Sequence, residues 1–259
     1  MKRMEAIAFI TLSIRAMDWS RMKTAILAED DEGPGIEVCE VTLEEWEHYV
    51  RTEEQCIKST AFLWSNGKVY LVEPSFGFHA ELGGRIGMAI IQATGTIGRF
   101  LSEHLSTHVE SMRLLEPDNC IGPERDVPGA VRPSRMRWGE YHTLKLELGV
   151  SRGWPKLERK AQQWKTFPGL QYVFCVRVSH DFKTRQYQLN SVVDGEFETP
   201  RAPIVDIGQT PTVTFDSRRL LGLPPDAEVP LGFSEPTLTI NLSEVVGSVA
   251  YHAEEEDLT

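Results

Sequence analysis

Cysteine is scarce in this chain: Cys39, Cys56, Cys120 and Cys175 are the only four in 259 residues. They stand far apart with no CxxC pair, which argues against a zinc knuckle and against a dense disulfide framework. Such usage fits a reducing, intracellular compartment, cytoplasmic or nuclear. Long apolar runs are missing as well. Nothing approaches the ~18 consecutive apolar residues that span a bilayer, so no membrane partner is expected. Ala6 to Ile14, after Lys2 and Arg3, is the one stretch that could target the chain, but Glu5 intrudes and no small-residue cleavage site follows, so secretion is not expected. Basic residues are outnumbered, 27 Lys plus Arg against 38 Asp plus Glu. The resulting net charge of −11 excludes coating of nucleic acid by charge alone and leaves room only for a local contact. Two familiar catalytic signatures, GxxxxGK[ST] and HExxH, are absent.

What is present is a globular composition, 41% hydrophobic and 25% charged, long enough for one large domain or two small ones. Residues Met1 to Gly35 read as a poorly ordered N-terminal extension ending in the acidic, turn-rich Glu29-Asp30-Asp31-Glu32-Gly33-Pro34-Gly35. His252 to Thr259 reads as a solvated acidic tail, which leaves residues 36–251 as the folded domain. Within it, Thr42 and Glu45 have capping-box spacing and start a helix that carries Trp46 and Tyr49 or Val50 on one side. Phe62 to Val72 alternates around Asn66-Gly67, the pattern of a hairpin. A helix from Phe78 shows Leu82, Ile86, Ile90 or Ala89, Ala93 and Ile97 on one stripe and frays toward His104 and His108. Those two histidines have the spacing of metal ligands on a helix, yet no third ligand is near, and a surface role suits them better. Gly83, Gly84 and Gly87 in that helix imply close approach, either of helix to sheet or of a ligand. Val109 to Leu115 reads as a strand, and a proline-punctuated loop follows to Pro133.

Tyr141 to Leu148 has the period-2 pattern of a strand, with His142, Leu144, Leu146 and Leu148 on one face and Thr143, Lys145 and Glu147 on the other. A helix opened by Pro155 and a strand from Leu170 to Val178 come next. Further strands are expected at Gln186–Val193, Thr212–Phe215 and Thr237–Asn241, with a last helix from Ser243. The class is therefore α/β or α+β.

Two carboxylates stand where chemistry is plausible. Asp118 lies in Glu116-Pro117-Asp118 after the Val109–Leu115 strand, and Glu147 lies near the end of its own strand. Strand ends of this kind face ligands. Two acids with the Leu148 carbonyl, waters and phosphate oxygens can complete the octahedral shell of Mg²⁺ or Mn²⁺. At about 100° per residue, Lys160 sits roughly 60° from Leu157, at the margin of the buried helix face. Its ammonium can snorkel to solvent or turn back toward the strand end. From Val131 to Thr166 nine basic residues (Arg132, Arg135, Arg137, Lys145, Arg152, Lys156, Arg159, Lys160 and Lys165) face only three acids. That patch can bind a phosphate or merely solvate one strand and helix.

These residues resemble the PD-(D/E)XK, or restriction-endonuclease-like, superfamily, and within it its restriction endonucleases of unassigned biological role. The likeness runs from about Val41 to Val178 and more loosely to Asn241. It rests on Thr42-Leu43-Glu44-Glu45, Gly67-Lys68-Val69-Tyr70, Glu73-Pro74-Ser75, His79, Pro117-Asp118, Leu144-Lys145-Leu146-Glu147-Leu148-Gly149 with Ser151, Lys160 and Trp164, and Tyr172-Val173-Phe174. The resemblance implies a mixed central sheet flanked by helices, preceded by a helix and a β-hairpin. It implies metal-assisted phosphodiester hydrolysis of nucleic acid, DNA in particular, with Asp118 and Glu147 on the metal. Gly149 occupies the position where the motif has its lysine. Related members carry that lysine on the following helix, which gives Lys160 the role, and Glu81 matches a further acid of some members. A catalytically silent binding or scaffold protein is the alternative, and another phosphoryl or nucleotide enzyme using the same acids is a third.

Overall fold

The fold is described from a computed structural model over residues 3–28, 35–52, 55–57, 59–72, 77–104, 115–150 and 153–256. Its N-terminal unit begins with helices α1 (Arg3–Arg15) and α2 (Trp19–Ala28). Ala6, Ile10 and Ile14, spaced four apart, form one buried stripe of α1, which packs on strand β1 (Ile36–Glu40) and helix α3 (Leu43–Val50). The expectation of a poorly ordered extension is therefore corrected for residues 3–28: an apolar stripe too short to span a membrane is long enough to close a small core. The acidic 29–34 stretch lies outside the described residues.

Thr42 caps α3 as expected. Its hydroxyl accepts from the Glu45 N–H, and its own N–H is received by the Glu45 carboxylate. The hairpin consists of β2 (Phe62–Ser65) and β3 (Lys68–Leu71), joined through Asn66 and Gly67, both at positive φ, as a tight hairpin turn demands. β3 pairs with β1 as well, and this three-stranded sheet closes over Trp46, Tyr49, Ile10 and Ile14.

The second unit is built on a seven-stranded mixed sheet. Helix α4 (Gly77–Ala93) leads into β4 (Leu101–His104) and β5 (Asn119–Pro123). β6 (Leu144–Gly149), α5 (Trp154–Trp164) and β7 (Tyr172–Val178) follow, then β8 (Arg185–Val193), β9 (Glu196–Phe197) and β10 (Val205–Asp206). The order is β10-β8-β7-β6-β5-β4 with β9 on β8; β6 and β7 run parallel, and the other pairs are antiparallel. A ribbon of β11 (Thr212–Asp216) and β12 (Thr237–Asn241) comes with the short α6 (Ser217–Leu220) and the last helix α7 (Leu242–Glu256).

Leu144, Leu146 and Leu148 of β6 face a core shared with α4, the ribbon and α7, while α5 covers the opposite face. Gly83 and Gly87 are explained by that packing. A methyl at Gly83 would touch Leu148, and one at Gly87 would collide with Glu103 and Asn119, so the close neighbour is the sheet rather than a ligand.

Three expectations are corrected here. α4 ends at Ala93, four residues short of the expected stripe, and Ile97 is exposed; the two glycines that follow, Gly95 and Gly98, both adopt positive φ and break the helix. His104 therefore lies on a strand, not a helix, and His108 falls outside the described residues, as do positions 109–114 of the expected Val109–Leu115 strand. The proline-marked loop contains β5, whose five residues are all buried. Asp118 consequently lies immediately ahead of a strand.

Candidate active site

Register brings the two acids together. β5 and β6 pair at Asn119↔Leu146, Cys120↔Lys145 and Ile121↔Leu144. One step further, Asp118 stands opposite Glu147, at the point where the paired stretch ends. There Asp118 Oδ2 accepts the Leu148 N–H at 2.7 Å, which ties the loop before β5 to the far end of β6.

Above this fork lies α5, started by Pro155 in its first turn. Leu157, Ala161 and Trp164 are buried on the sheet, and this places Lys160 inward. Its Nζ is 2.6 Å from Glu147 Oε2 and 4.0 Å from Asp118 Oδ1, with the lysine side chain 15% exposed. The alternative left open for Lys160 closes: the ammonium turns toward the acids. One helical turn on, Trp164 Nε1 donates to Glu147 Oε1 at 2.5 Å. His79, in the first turn of α4, brings Nε2 to 3.7 Å from Asp118 Oδ1.

Electrostatics follow from burial. Glu147 is fully enclosed, and loss of solvent pushes its carboxyl up to about 8; the Lys160 ammonium opposes that rise and the Asp118 charge adds to it. Cys175, on the neighbouring strand, is pushed well up by the same burial and by Glu147. Two residues back on β6, Lys145 is fully buried beneath Trp164 and Phe167, 4.7 and 4.3 Å from the ring centres, and donates to His142 Nδ1 at 3.0 Å. Burial pulls Lys145 down to about 8 and, with Lys145 beside it, pulls His142 down to about 2. The imidazole is therefore neutral and free to accept.

No family model matches the sequence, and no curated protein does. Among solved structures, the chain is similar to one from Anabaena variabilis described as a "putative nuclease belonging to DUF820", with 15% identity, a TM-score of 0.43, and coverage of 81% of this chain and 99% of that one.

Of the residues singled out from sequence, Asp118, Glu147, Leu148 and Lys160 meet at the fork. Glu81 does not: it pairs with Arg85 at 2.7 Å on the flank of α4. The basic patch is smaller than the sequence suggests. Lys145 is sealed in the core, Lys160 is turned inward, and Arg152 lies outside the described residues, as do Ser151 and Glu73-Pro74-Ser75. His79, Trp164 and Lys145 join the site without having been given a role. For Trp164 a signal existed, since it follows Lys160 by four residues and so shares its helix face.

Among the described residues, no group of three or more His, Cys, Asp or Glu side chains is arranged to hold a metal ion. The donors at the fork are two carboxylates and backbone, a set that suits a hard cation completed by water. The buried Lys160 Nζ, aimed at that point, makes no contact of hydrogen-bond geometry, so a charge fitting both acids is accommodated there without tight fixation.

Proposed function

We propose that the chain is a divalent-metal-dependent nuclease of the PD-(D/E)XK type, hydrolysing phosphodiester bonds of nucleic acid, with DNA as the substrate. The observation that carries this reading is the fork itself: Asp118 and Glu147 in facing register, with the Lys160 ammonium between them. Asp118, Glu147 and the Leu148 carbonyl would hold Mg²⁺ or Mn²⁺. In an extended strand a residue's N–H and C=O point to the same side, so that carbonyl is directed to the Asp118 edge along with its N–H. When bound, such an ion polarises a phosphoryl oxygen and lowers the pKa of a coordinated water.

The protein's own groups do the rest. Trp164 fixes one oxygen of Glu147 and leaves the other toward Lys160. Lys160 neutralises the acids when they are alone. Its four-carbon stem lets the ammonium move off them to the phosphate or the attacking water. His79 borders Asp118 from the α4 side and helps hold its orientation.

Cleavage of plasmid DNA with Mg²⁺ or Mn²⁺ tests the reading: activity is expected in the wild type and loss of it in Asp118→Asn and Glu147→Gln. A second reading, a silent binding or scaffold protein, is favoured by Gly149 at the usual lysine position and by a Glu147 already ion-paired with Lys160 and hydrogen-bonded by Trp164. A melting curve separates the two. A metal site adds about 2.7 kcal/mol at a hundredfold excess over Kd, whereas a silent fold melts at the same temperature with and without the ions.

A further inference from the structure

Beside the fork a groove of about 220 Å³ runs between the N-terminal unit and α5. This is smaller than the roughly 300–1,000 Å³ of sites for drug-sized ligands, and suits a single heterocyclic ring. One wall is apolar and includes Phe62 and Trp64 of the hairpin. The Trp64 indole N–H donates to the Val41 carbonyl at 2.9 Å, which fixes the ring as a wall. The opposite wall is one polar face of α5, where Lys156, Lys160 and Gln163 recur at helical spacing with Arg159 alongside. Glu116 lies in the groove, 9% exposed, with one oxygen accepting from Ser59 Oγ at 2.5 Å. Lys160 lines this groove and also touches Glu147, and Glu116 precedes Asp118 by two residues, so the groove and the fork are continuous.

Resting on the hydrolase reading, we infer that this groove receives one unstacked nucleobase of the strand whose phosphate is cleaved. An aromatic wall facing cations matches a base with its backbone phosphate: the ring stacks on Trp64, and the phosphate meets Lys156 and Arg159. A base still paired in a duplex offers no free face to such a wall, so the preferred substrate has an unpaired nucleotide at this position, in a single strand, a flap or a junction. Glu116 adds selectivity. A carboxylate accepts from more than one donor, so beside Ser59 it can take an exocyclic amino group, which cytosine and adenine carry and thymine lacks.

The test uses the full chain with Ca²⁺ in place of Mg²⁺, and fluorescence anisotropy of labelled oligo(dC), oligo(dA), oligo(dT) and a duplex. Single strands are expected to bind more tightly than the duplex, and oligo(dC) and oligo(dA) more tightly than oligo(dT). Gln163→Trp, which fills the groove from an exposed position, is expected to weaken single-strand binding by about tenfold, the scale of one lost base stack, and Arg159→Ala is expected to weaken it through the lost phosphate contact. Glu116→Gln, which keeps an acceptor for Ser59, is expected to erase the preference over oligo(dT). Single-strand affinity unchanged in both Gln163→Trp and Arg159→Ala, or no single-strand binding by the wild type, overturns the inference. The two proposals fail separately. Cleavage that persists in Asp118→Asn sinks the hydrolase reading alone, and cleavage lost in Asp118→Asn but unchanged by filling the groove sinks the base pocket alone.

Discussion

Replacing Lys160 by methionine keeps the straight stem of the side chain and removes only the ammonium. At 2.6 Å from Glu147, with an effective dielectric of about 20, that ammonium contributes roughly 6 kcal/mol of gross attraction. The cost of burying it cuts the net to the ~3–5 kcal/mol seen when one partner of a buried pair is removed. The loss depends on pH in a specific way. Glu147 is raised in the folded chain from 4.5 to about 8, so the folded state keeps a proton that the unfolded state releases. Its contribution to stability is complete below about 4.5, falls as pH climbs, and levels off above about 8 in the wild type. Without Lys160 the carboxyl rises further and the fall continues past the wild-type plateau. The gap between the two proteins is therefore small from pH 5 to 7 and widens above pH 8 by up to ~1.4 kcal/mol per pH unit. Lys145 is pulled down to about 8 and titrates nearby with the opposite sign, and because the Glu147 charge acts on it, the difference is read against a Glu147→Gln background where that charge is absent. Urea unfolding at pH 6, 8 and 9.5 measures it. In a Glu147→Gln background the same replacement should show no such pH dependence. A gap that is constant with pH, or widest at pH 6, would refute the account of the fork as a lysine-compensated carboxylate.

Further outcomes follow from neighbouring contacts. Trp164→Phe removes the indole donor to Glu147 and should cost about 1–3 kcal/mol above pH 8, with less lost at pH 6, in the same unfolding assay. Ile10→Ala should cost about 2–5 kcal/mol by urea unfolding, because Ile10 is completely buried against α3 and the hairpin; a change under ~0.5 kcal/mol would mean that α1 is not part of the cooperative fold. Gly122→Ala would drive a methyl into the backbone carbonyl of Tyr141, which has no side-chain freedom to yield, and should lower the melting temperature by an amount equivalent to at least ~1–3 kcal/mol.

Legibility in the sequence varied with how local the cause was. The capping box at Thr42, the Asn66-Gly67 turn and the Leu82, Ile86, Ile90 stripe depend on neighbours a few residues apart, and each was readable. α1 was not, because its short apolar run resembles a targeting segment until a partner is known. Only α3 and the hairpin, tens of residues downstream, make Ile10 and Ile14 core residues. β5 is hidden in the sequence for a related reason. Asn119-Cys120-Ile121-Gly122-Pro123 is flanked by prolines and carries little β propensity, and it is a strand because β4 and β6 enclose it. Gly122 suits it there, since Tyr141 leaves no room for a side chain.

At the fork the limit is of another kind. The sequence marks acids at 118 and 147 and a lysine at 160, but only the register of β5 on β6 makes the first two neighbours, and a one-residue slip would send the side chains to opposite faces. The alternation along β6 marks Lys145 and Glu147 as one polar face without telling whether water or a helix covers it. α5 does cover it, and this single fact changes the chemistry of both residues. Two groups that would titrate ordinarily at a surface are each moved to about 8, the acid upward and the amine downward. Trp164 lies between them, with its ring under one charge and its N–H on the other. A cation arriving at the acids must therefore compete with Lys160 for a carboxyl that burial holds protonated well above the usual carboxylate range. Metal binding here should release a proton and tighten as pH rises from 7 to 9, and calorimetric titration of Mn²⁺ in buffers of different ionisation heat would count that proton. A proton count of zero would mean that the ion does not reach Glu147.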